Sequence, residues 1–156
     1  MENVFREALE NGEFVVTCEM IPGRGAFEAY QEADHMKMRA IWETGLVHAI
    51  SITDCPSGNP AISPPTVARR FAREGIPSIV HYTCKDRSRN MMQGELYAMQ
   101  LRDLENLLIM SWDYQGSGFE GAGRPDFDLD PANALRLVSA MNEGLVYHGR
   151  DGDVRE

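Results

Sequence analysis

Four short apolar segments, each ending in polar residues, limit the folds that this chain can adopt. The segments are Phe14–Glu19, Ala49–Thr53, Ser78–Thr83 and Leu107–Ser111. Strands in which polar and apolar residues do not alternate are buried on both faces, which is typical of parallel sheets. Parallel strands need long connections, usually helices, and these crossovers are right-handed. The four segments therefore predict an α/β fold with a parallel sheet.

Helical segments are predicted before, between and after these strands. Gly45 ends the second helix, and Ser63 followed by Pro64 and Pro65 begins the third, because proline is tolerated in the first helical turn. The predicted helices are Val4–Asn11, Phe27–Thr44, Thr66–Glu74, Asn90–Asn106 and Pro131–Glu143. After the first helix, strands and helices alternate along the chain.

A single domain spanning residues 1–156 is expected, because a chain of 156 residues with 43% hydrophobic content can bury one core. A closed α/β barrel of eight strands typically needs about 250 residues, and the pattern supplies about half that number of strands. The expected architecture is a partial TIM-type barrel, a half-barrel of about four parallel βα units, with an open sheet as the alternative.

Polar residues stand at or near the carboxyl ends of all four predicted strands. They are Glu19, Thr53, His81, Thr83 and Asp113. In parallel α/β folds, ligands bind beyond the carboxyl ends of the strands, where the loops converge. The repeated pattern therefore predicts an active site at this end of the sheet.

The composition argues against two classes of partner. A net charge of -9 is unfavourable for binding nucleic acid or an anionic membrane, since both require clustered cations. The sequence has no run of about 20 apolar residues that could span a bilayer, and its first residues lack the pattern of a secretory signal. We therefore expect a cytoplasmic protein that binds a small molecule or another protein, with no nucleic acid and no membrane as partner.

Three cysteines, Cys18, Cys55 and Cys84, are an odd number without close spacing, which favours reduced thiols over disulfides. A zinc site is the alternative, since all three lie near strand ends. Strand alternation turns Cys18 away from Glu19 and Cys84 away from His81, so a metal site and the predicted active site exclude each other. We expect three buried structural thiols and no bound metal.

Two charged or glycine-rich segments could contribute to a site. The segment Gly116–Asp130 is either a mobile cover over the site or a plain solvated connection. The cluster Lys85–Arg89 is interpreted as a solvated charged turn, with contact to a cofactor phosphate as the alternative.

Longer blocks around these residues resemble a known enzyme family. The segments Phe14–Pro22, Ile50–Pro60 and His81–Asn90 are similar to successive blocks of the methylenetetrahydrofolate reductase family. The resemblance continues through Gly94–Ala98 and Asn106–Asp113, and it extends more loosely through Phe127–Pro131 and Met141–Leu145. It covers nearly the whole chain.

The resemblance implies an FAD-containing barrel that reduces 5,10-methylenetetrahydrofolate to 5-methyltetrahydrofolate, with electrons from NAD(P)H or a protein donor. Glu19 then matches the family's catalytic acid, because opening the methylene bridge of the folate requires a proton at a weakly basic nitrogen. Asp113 matches the aspartate near the flavin and the pterin, with a catalytic and a cofactor-binding role. Thr53 and His81 match flavin-contacting positions, and Thr83 lies one inward step beyond His81.

The chain departs from the family pattern in two ways. Trp112 stands where the family usually has a glycine before the aspartate of the fourth strand. The later strands of the family's barrel, which hold much of the cofactor, have no counterpart here. These departures suggest a homo-oligomer or a complementary half-barrel subunit as partner, with a truncated product as the alternative. They also leave a second functional interpretation, a non-catalytic reductase-like binding or regulatory subunit that has lost flavin.

Overall fold

A parallel sheet of four strands organises this protein, in a computed structural model that describes residues 3–26, 28–111, 123–144, 146–149 and 152–155. The last two ranges are described by their backbone alone. In chain order, the elements are α1 (Val4–Glu10), β1 (Thr17–Met20), α2 (Ala29–Glu43), β2 (Ala49–Ile52), α3 (Pro64–Arg73), β3 (Ser78–Thr83), α4 (Arg89–Gln100), β4 (Asn106–Met110), α5 (Pro131–Asn142), β5 (Val146–Gly149) and β6 (Gly152–Arg155).

The strands of the main sheet lie in the same order as in the sequence, β1-β2-β3-β4, and all neighbours are parallel. A helix connects each strand to the next. The predicted α/β class and the four parallel strands are therefore confirmed. A sheet of this kind is compatible with part of an α/β barrel.

Among the described residues, the main hydrophobic cluster lies on one face of the sheet. Alternate strand residues, among them Ile50, Ile52, Val80 and Tyr82, pack with buried residues of the helices. The helical members of this cluster are Met38, Ala68, Phe71, Met92, Leu96, Met99 and Ala134. The intervening strand residues, such as Ile79, do not belong to it. The helices that contribute to this cluster therefore cover one face and leave the other to the polar strand residues.

Local signals set the helix ends. The side chains of Ser88 and Asp130 accept hydrogen bonds from backbone N–H groups in the first turns of α4 and α5, which satisfies donors that the helix itself leaves unpaired. Gly45 follows α2 with φ +70°, a left-handed conformation in which glycine carries no steric penalty. The predicted proline start of α3 is also observed, with Pro64 as its first residue.

The first strand is shorter than predicted. It begins at Thr17 rather than Phe14, and the Phe14 side chain is 89% exposed. β2 begins only at Ala49, opposite Thr17, and the bonding continues one residue further back, where the His48 N–H donates to the Val16 carbonyl oxygen at 2.8 Å. The β-propensity of this segment is real, but a strand extends only as far as its partner does.

The fourth helix also ends earlier than predicted, at Gln100 rather than Asn106. Asp103 adopts a left-handed conformation with φ +58°, and the N–H of Leu104 then donates to the Met99 carbonyl oxygen at 3.1 Å. This turn carries the Leu104 side chain into the core, where it is buried. The helix therefore ends in a turn that buries Leu104, and β4 begins at Asn106.

A short antiparallel hairpin, β5 with β6, follows α5 and was not predicted. Its strands are four residues each, and Gly149 pairs with Gly152. The hairpin forms a sheet separate from the parallel one.

Candidate functional site

The face of the sheet opposite the helices carries most of the predicted site residues. We call this surface the polar face and define it by Glu19, Ser51, Thr53, His81 and Thr83. The strand register aligns Glu19 with Ser51, and alternation places His81 and Thr83 on the same side. Thr53 continues the alternation of β2 one residue past its end. Asp113, the remaining predicted site residue, lies outside the described residues.

Ser51 and His81 form the closest contact on the polar face. The Ser51 Oγ lies 2.6 Å from the His81 Nε2, and both side chains are buried. Burial lowers the pKa of His81, although the negative charges of Glu19 and Asp54 act in the opposite direction. The imidazole is therefore neutral at physiological pH.

Glu19 differs from its neighbours because it is exposed to solvent. It lies on β1, which is an edge strand among the described parts of the sheet, whereas Ser51 and His81 lie on the central strands. A proton donor of the kind that the family resemblance implies works best where water is excluded. The described residues alone do not provide that exclusion at Glu19.

The two threonines have different surroundings. Thr53 is buried, and its N–H donates to the Met20 carbonyl oxygen at 3.1 Å, which continues the pairing of β1 with β2. The Thr83 hydroxyl donates to Asp54 Oδ2 at 2.8 Å and accepts from Arg87 Nη1 at 2.7 Å. Thr83 thus supports a charged pair, a role that the sequence did not predict.

Asp54 and Arg87 form a nearly buried ion pair, 2.8 Å long, at the carboxyl ends of β2 and β3. Asp54 also accepts from the Thr83 N–H at 3.2 Å, and the Arg87 Nε donates to Glu95 at 2.9 Å. Burial alone would lower the pKa of Arg87, but the carboxylates of Asp54 and Glu95 outweigh that effect and raise it. The guanidinium of Arg87 therefore stays protonated.

The interpretation of Lys85–Arg89 as a solvated charged turn is wrong for two of its members. Lys85 is only 4% exposed, and the Arg87 side chain is 16% exposed. Lys85 contacts Asp86 at 3.3 Å. A sequence signal existed: Asp54 directly follows a predicted buried strand, and a strand end is where a carboxylate can meet an arginine from the next loop.

Tyr82 contacts the charged cluster formed by Asp54, Arg87 and Glu95. Its hydroxyl donates to Glu95 Oε2 at 2.8 Å, and the guanidinium of Arg87 lies 4.8 Å from the centre of its ring. Burial, together with the charge of Glu95, raises the pKa of Tyr82 far above its usual range. The phenol therefore acts as a permanent hydrogen-bond donor that holds Glu95 against Arg87.

Strained backbone lies beside this cluster. Cys55 and Ser57, in the loop after β2, have φ of +45° and +55°, and Asp86, in the turn after β3, has φ of +60°. Such conformations cost free energy in residues other than glycine and are enriched at functional sites. They mark the carboxyl ends of β2 and β3, where the sequence predicts ligand binding.

The described end of the glycine-rich segment packs against the same turn. Arg89 makes a two-pronged ion pair with Asp128, with both distances 3.0 Å, and the Asp86 N–H donates to the Asp126 carbonyl oxygen. The rest of the segment, residues 116–122, lies outside the described residues, so neither of its two interpretations is decided. Residues 126–128 are attached to the end of β3.

The cysteines fit the expectation of structural thiols only in part. Cys84 is buried, but Cys18 and Cys55 are half-buried. Burial raises the pKa of Cys55 and Cys84, which keeps both as thiols. Within the described ranges, no three histidine, cysteine, aspartate or glutamate side chains come close enough to hold a metal ion.

A cleft of about 1110 Å³ lies elsewhere, between α4 and α5 near the start of β4. Leu104, Leu107 and Val138 are among its lining residues, and none of the predicted site residues belongs to it.

No helix in the described part of the chain is both long and apolar enough to cross a membrane. Comparison of the sequence with protein-family models and with curated proteins found no match.

Proposed function

We propose that this protein is a flavin-dependent reductase that converts 5,10-methylenetetrahydrofolate to 5-methyltetrahydrofolate, alone or as one part of a split or oligomeric enzyme. One observation carries the proposal. Glu19, Thr53 and His81, which the family resemblance assigns to catalysis and flavin binding, lie on one face of one sheet. These residues come from three separate strands, and a chance resemblance would not require them to share a face.

The polar face has the chemistry that FAD needs. The edge of a flavin ring presents carbonyl oxygens and ring nitrogens, so a protein binds it with hydrogen-bond donors. The polar face carries an imidazole and three hydroxyl groups; those of Thr53 and Thr83 donate to the Met20 carbonyl oxygen and to Asp54, so they would exchange these partners to bind a flavin. FAD would supply hydride transfer, with NAD(P)H or a protein as the electron source.

Glu19 is the proposed proton donor to the folate nitrogen that leaves the methylene bridge. Its position on an edge strand leaves it open to solvent. A bound folate, or a subunit that pairs with β1, would exclude water from the carboxyl group and bring it into the environment that general acid catalysis favours.

The ion pair of Asp54 with Arg87 would hold the loops around the ligand. It connects the loop after β2 to the turn after β3, and Glu95 extends the connection to α4. A buried, fully hydrogen-bonded charged network is suited to fixing backbone position. Thr83 would therefore act on a cofactor through these loops.

The sheet has two open edges among its described strands, at β1 and β4. Leu108 on β4 is 43% exposed. Unpaired strands of this kind readily add another strand, so we propose that the half-barrel pairs with a second copy or with a complementary half-barrel subunit. The three free cysteines fit a reducing compartment, the cytoplasm.

A non-catalytic, reductase-like binding or regulatory subunit is the second candidate. Trp112 favours it, because an indole replaces the glycine that lets the family's backbone approach the flavin. The exposure of Glu19 is also consistent with a chain that no longer donates a proton.

Titration of the purified protein with FAD, followed by absorbance and flavin fluorescence, tests the first candidate. We expect a yellow complex that bleaches on reduction and about tenfold weaker binding for His81→Gln, the effect of losing one hydrogen bond. His48→Gln is the matched control, since His48 lies at the amino end of β2, where it accepts from the Val16 N–H.

Two results would decide between the candidates. Binding by Trp112→Gly but not by the natural chain would favour the non-catalytic subunit, with the indole as the obstacle to flavin. Failure of both proteins to bind FAD would reject flavin chemistry for this chain.

A further inference from the structure

Side chains on the polar side of the sheet are buried on the two central strands and exposed on the two edge strands. The central ones are at most 9% exposed, although the helical cluster packs on the opposite face. The buried residues are Ala49, Ser51, Ile79 and His81, and the exposed ones are Thr17, Glu19 and Leu108. This side of the sheet is therefore enclosed along its centre and open along both edges.

Backbone groups of both edge strands also point away from the sheet. The Met20 carbonyl oxygen accepts a hydrogen bond from the residue after β2, so alternation turns the N–H and C=O of Glu19 away from β2. At the other edge, the Met110 carbonyl oxygen accepts from the residue after β3, which turns the N–H and C=O of Ile109 away from β3. Each edge thus presents backbone groups to which a further strand can bind.

We propose that a second copy of this chain completes the wall of the barrel. A twofold axis parallel to the strands keeps all strand directions the same and places β4 of each copy beside β1 of the other. One symmetry operation then pairs both edges in parallel. Two copies supply eight strands, the number in a closed α/β barrel, which has no edge strand.

The side chains at the edges favour this arrangement over pairing of like edges. Two antiparallel β1 strands would bring the Glu19 carboxylates of both copies onto one face of the pair, and like charges across a strand pair are destabilising. Pairing β4 with β4 would leave both β1 edges open. Pairing β4 with β1 instead brings together Glu19 and Leu108 of the partner subunit. Leu108 lies on the polar side because it aligns with His81.

The second copy would also complete the candidate site. Glu19 is exposed because no described strand lies beyond β1. In the closed barrel, Leu108 of the partner subunit lies on the same inner surface and displaces water from the carboxyl group. The twofold axis supplies this cover to Glu19 of both copies.

Analytical ultracentrifugation of the natural protein tests the dimer without any variant or ligand. We expect a single species with twice the mass of the chain. A uniform monomer would overturn the proposal. A series of larger assemblies would overturn it as well, because edges that pair without closing add strands indefinitely.

The pairing of β4 with β1 is tested by the double variant Thr17→Cys with Leu108→Cys and a short bismaleimide crosslinker. Both positions are exposed on the polar side, one on each edge. We expect covalent dimers in which mass spectrometry finds position 17 joined to position 108. Neither single variant should form a dimer through its new cysteine, because like edges lie on opposite sides of the barrel. Dimers joined between two positions 108 would overturn the proposal.

Met36→Cys in place of Thr17→Cys is the matched control. Met36 is 51% exposed but lies on α2, which packs on the opposite face of the sheet. It should form no crosslink with position 108, and equal crosslinking from Met36→Cys would reject the assignment of the edges.

The dimer rests on the half-barrel of the proposed function and not on its flavin chemistry. A dimer that binds no FAD would therefore reject flavin chemistry and keep the pairing. A monomer that binds FAD would keep the flavin chemistry and reject the pairing.

Discussion

Glu19 and His81 lie on the same face of the sheet but in opposite environments. His81 is buried on a central strand, and burial favours its neutral form. Glu19 is solvent-exposed on an edge strand, where its charge costs little. A buried imidazole and an exposed carboxyl group thus share one face of the sheet.

Glu19→Gln should abolish folate reduction and leave flavin reduction by the electron donor unchanged. General acid catalysis contributes about 10²–10⁴-fold, and in the proposed reaction only the folate half-reaction needs the proton. Stopped-flow absorbance of the two half-reactions measures both effects. Glu13→Gln is the control, because Glu13 is equally exposed but precedes the sheet. Equal loss of both half-reactions would contradict the role of Glu19 as proton donor.

His81 should make the protein less stable in mild acid. Its folded pKa lies below the ordinary value of 6.5 because of burial, so the unfolded chain binds the proton more tightly. Stability from this group is complete above pH 6.5 and declines as the pH falls from 6.5 toward the folded pKa. Urea unfolding at pH 7.5 and 5.5 should show a smaller difference for His81→Gln than for the natural chain. An equal difference in both proteins would show that other groups govern the acid side.

At the scale of secondary structure elements, the pair of Asp54 and Arg87 joins β2, β3 and α4. Arg87→Met would leave the buried carboxylate of Asp54 without its partner. Breaking a buried pair in this way typically costs about 3–5 kcal/mol. The free energy of unfolding from urea titration, with m unchanged, measures the loss.

Arg39→Met is the control for that measurement. Arg39 pairs with Glu43 one turn along α2, and both side chains are about half exposed. Exposed pairs at this spacing contribute about 0.3–0.5 kcal/mol. Similar losses for the two arginine variants would show that Arg87 does not depend on its buried partner.

The elements that the sequence predicts best are those whose limits are set locally. β3 is observed at Ser78–Thr83, as predicted, and the proline start of α3 is also correct. The errors occur where tertiary contacts decide. β1 is cut short by the length of its partner, and α4 is cut short by the burial of Leu104. A local sequence pattern shows neither how long the neighbouring strand is nor which residues the folded core buries.

The position of the candidate site was predictable from the sequence, but the hydrogen bonds and ion pairs within it were not. Alternation along strands correctly predicts that His81 and Thr83 share a face. The bond of Ser51 to His81 and the pair of Asp54 with Arg87 depend on which strands are neighbours and on their register. Residue types alone do not fix register, so a serine and an aspartate that belong to the site passed unnoticed.

At the scale of the whole molecule, the open edge of β4 predicts self-association. The natural protein should be larger than a monomer by light scattering at micromolar concentration. Leu108→Lys should shift it toward monomer, because a charged side chain on an edge strand opposes strand pairing. Leu46→Lys is the control, since Leu46 is exposed in the turn between α2 and β2. A natural protein that is already a uniform monomer would reject the pairing.

The sequential order of the strands has a consequence for how the chain acquires its structure. Every strand of the parallel sheet pairs with the strand just before or just after it in the sequence. Relative contact order is therefore lower than in a parallel sheet whose order jumps along the chain, and lower contact order correlates with faster folding. During synthesis, each pairing can form once its second strand has left the ribosome. We therefore expect the sheet to form one strand at a time, from β1 toward β4.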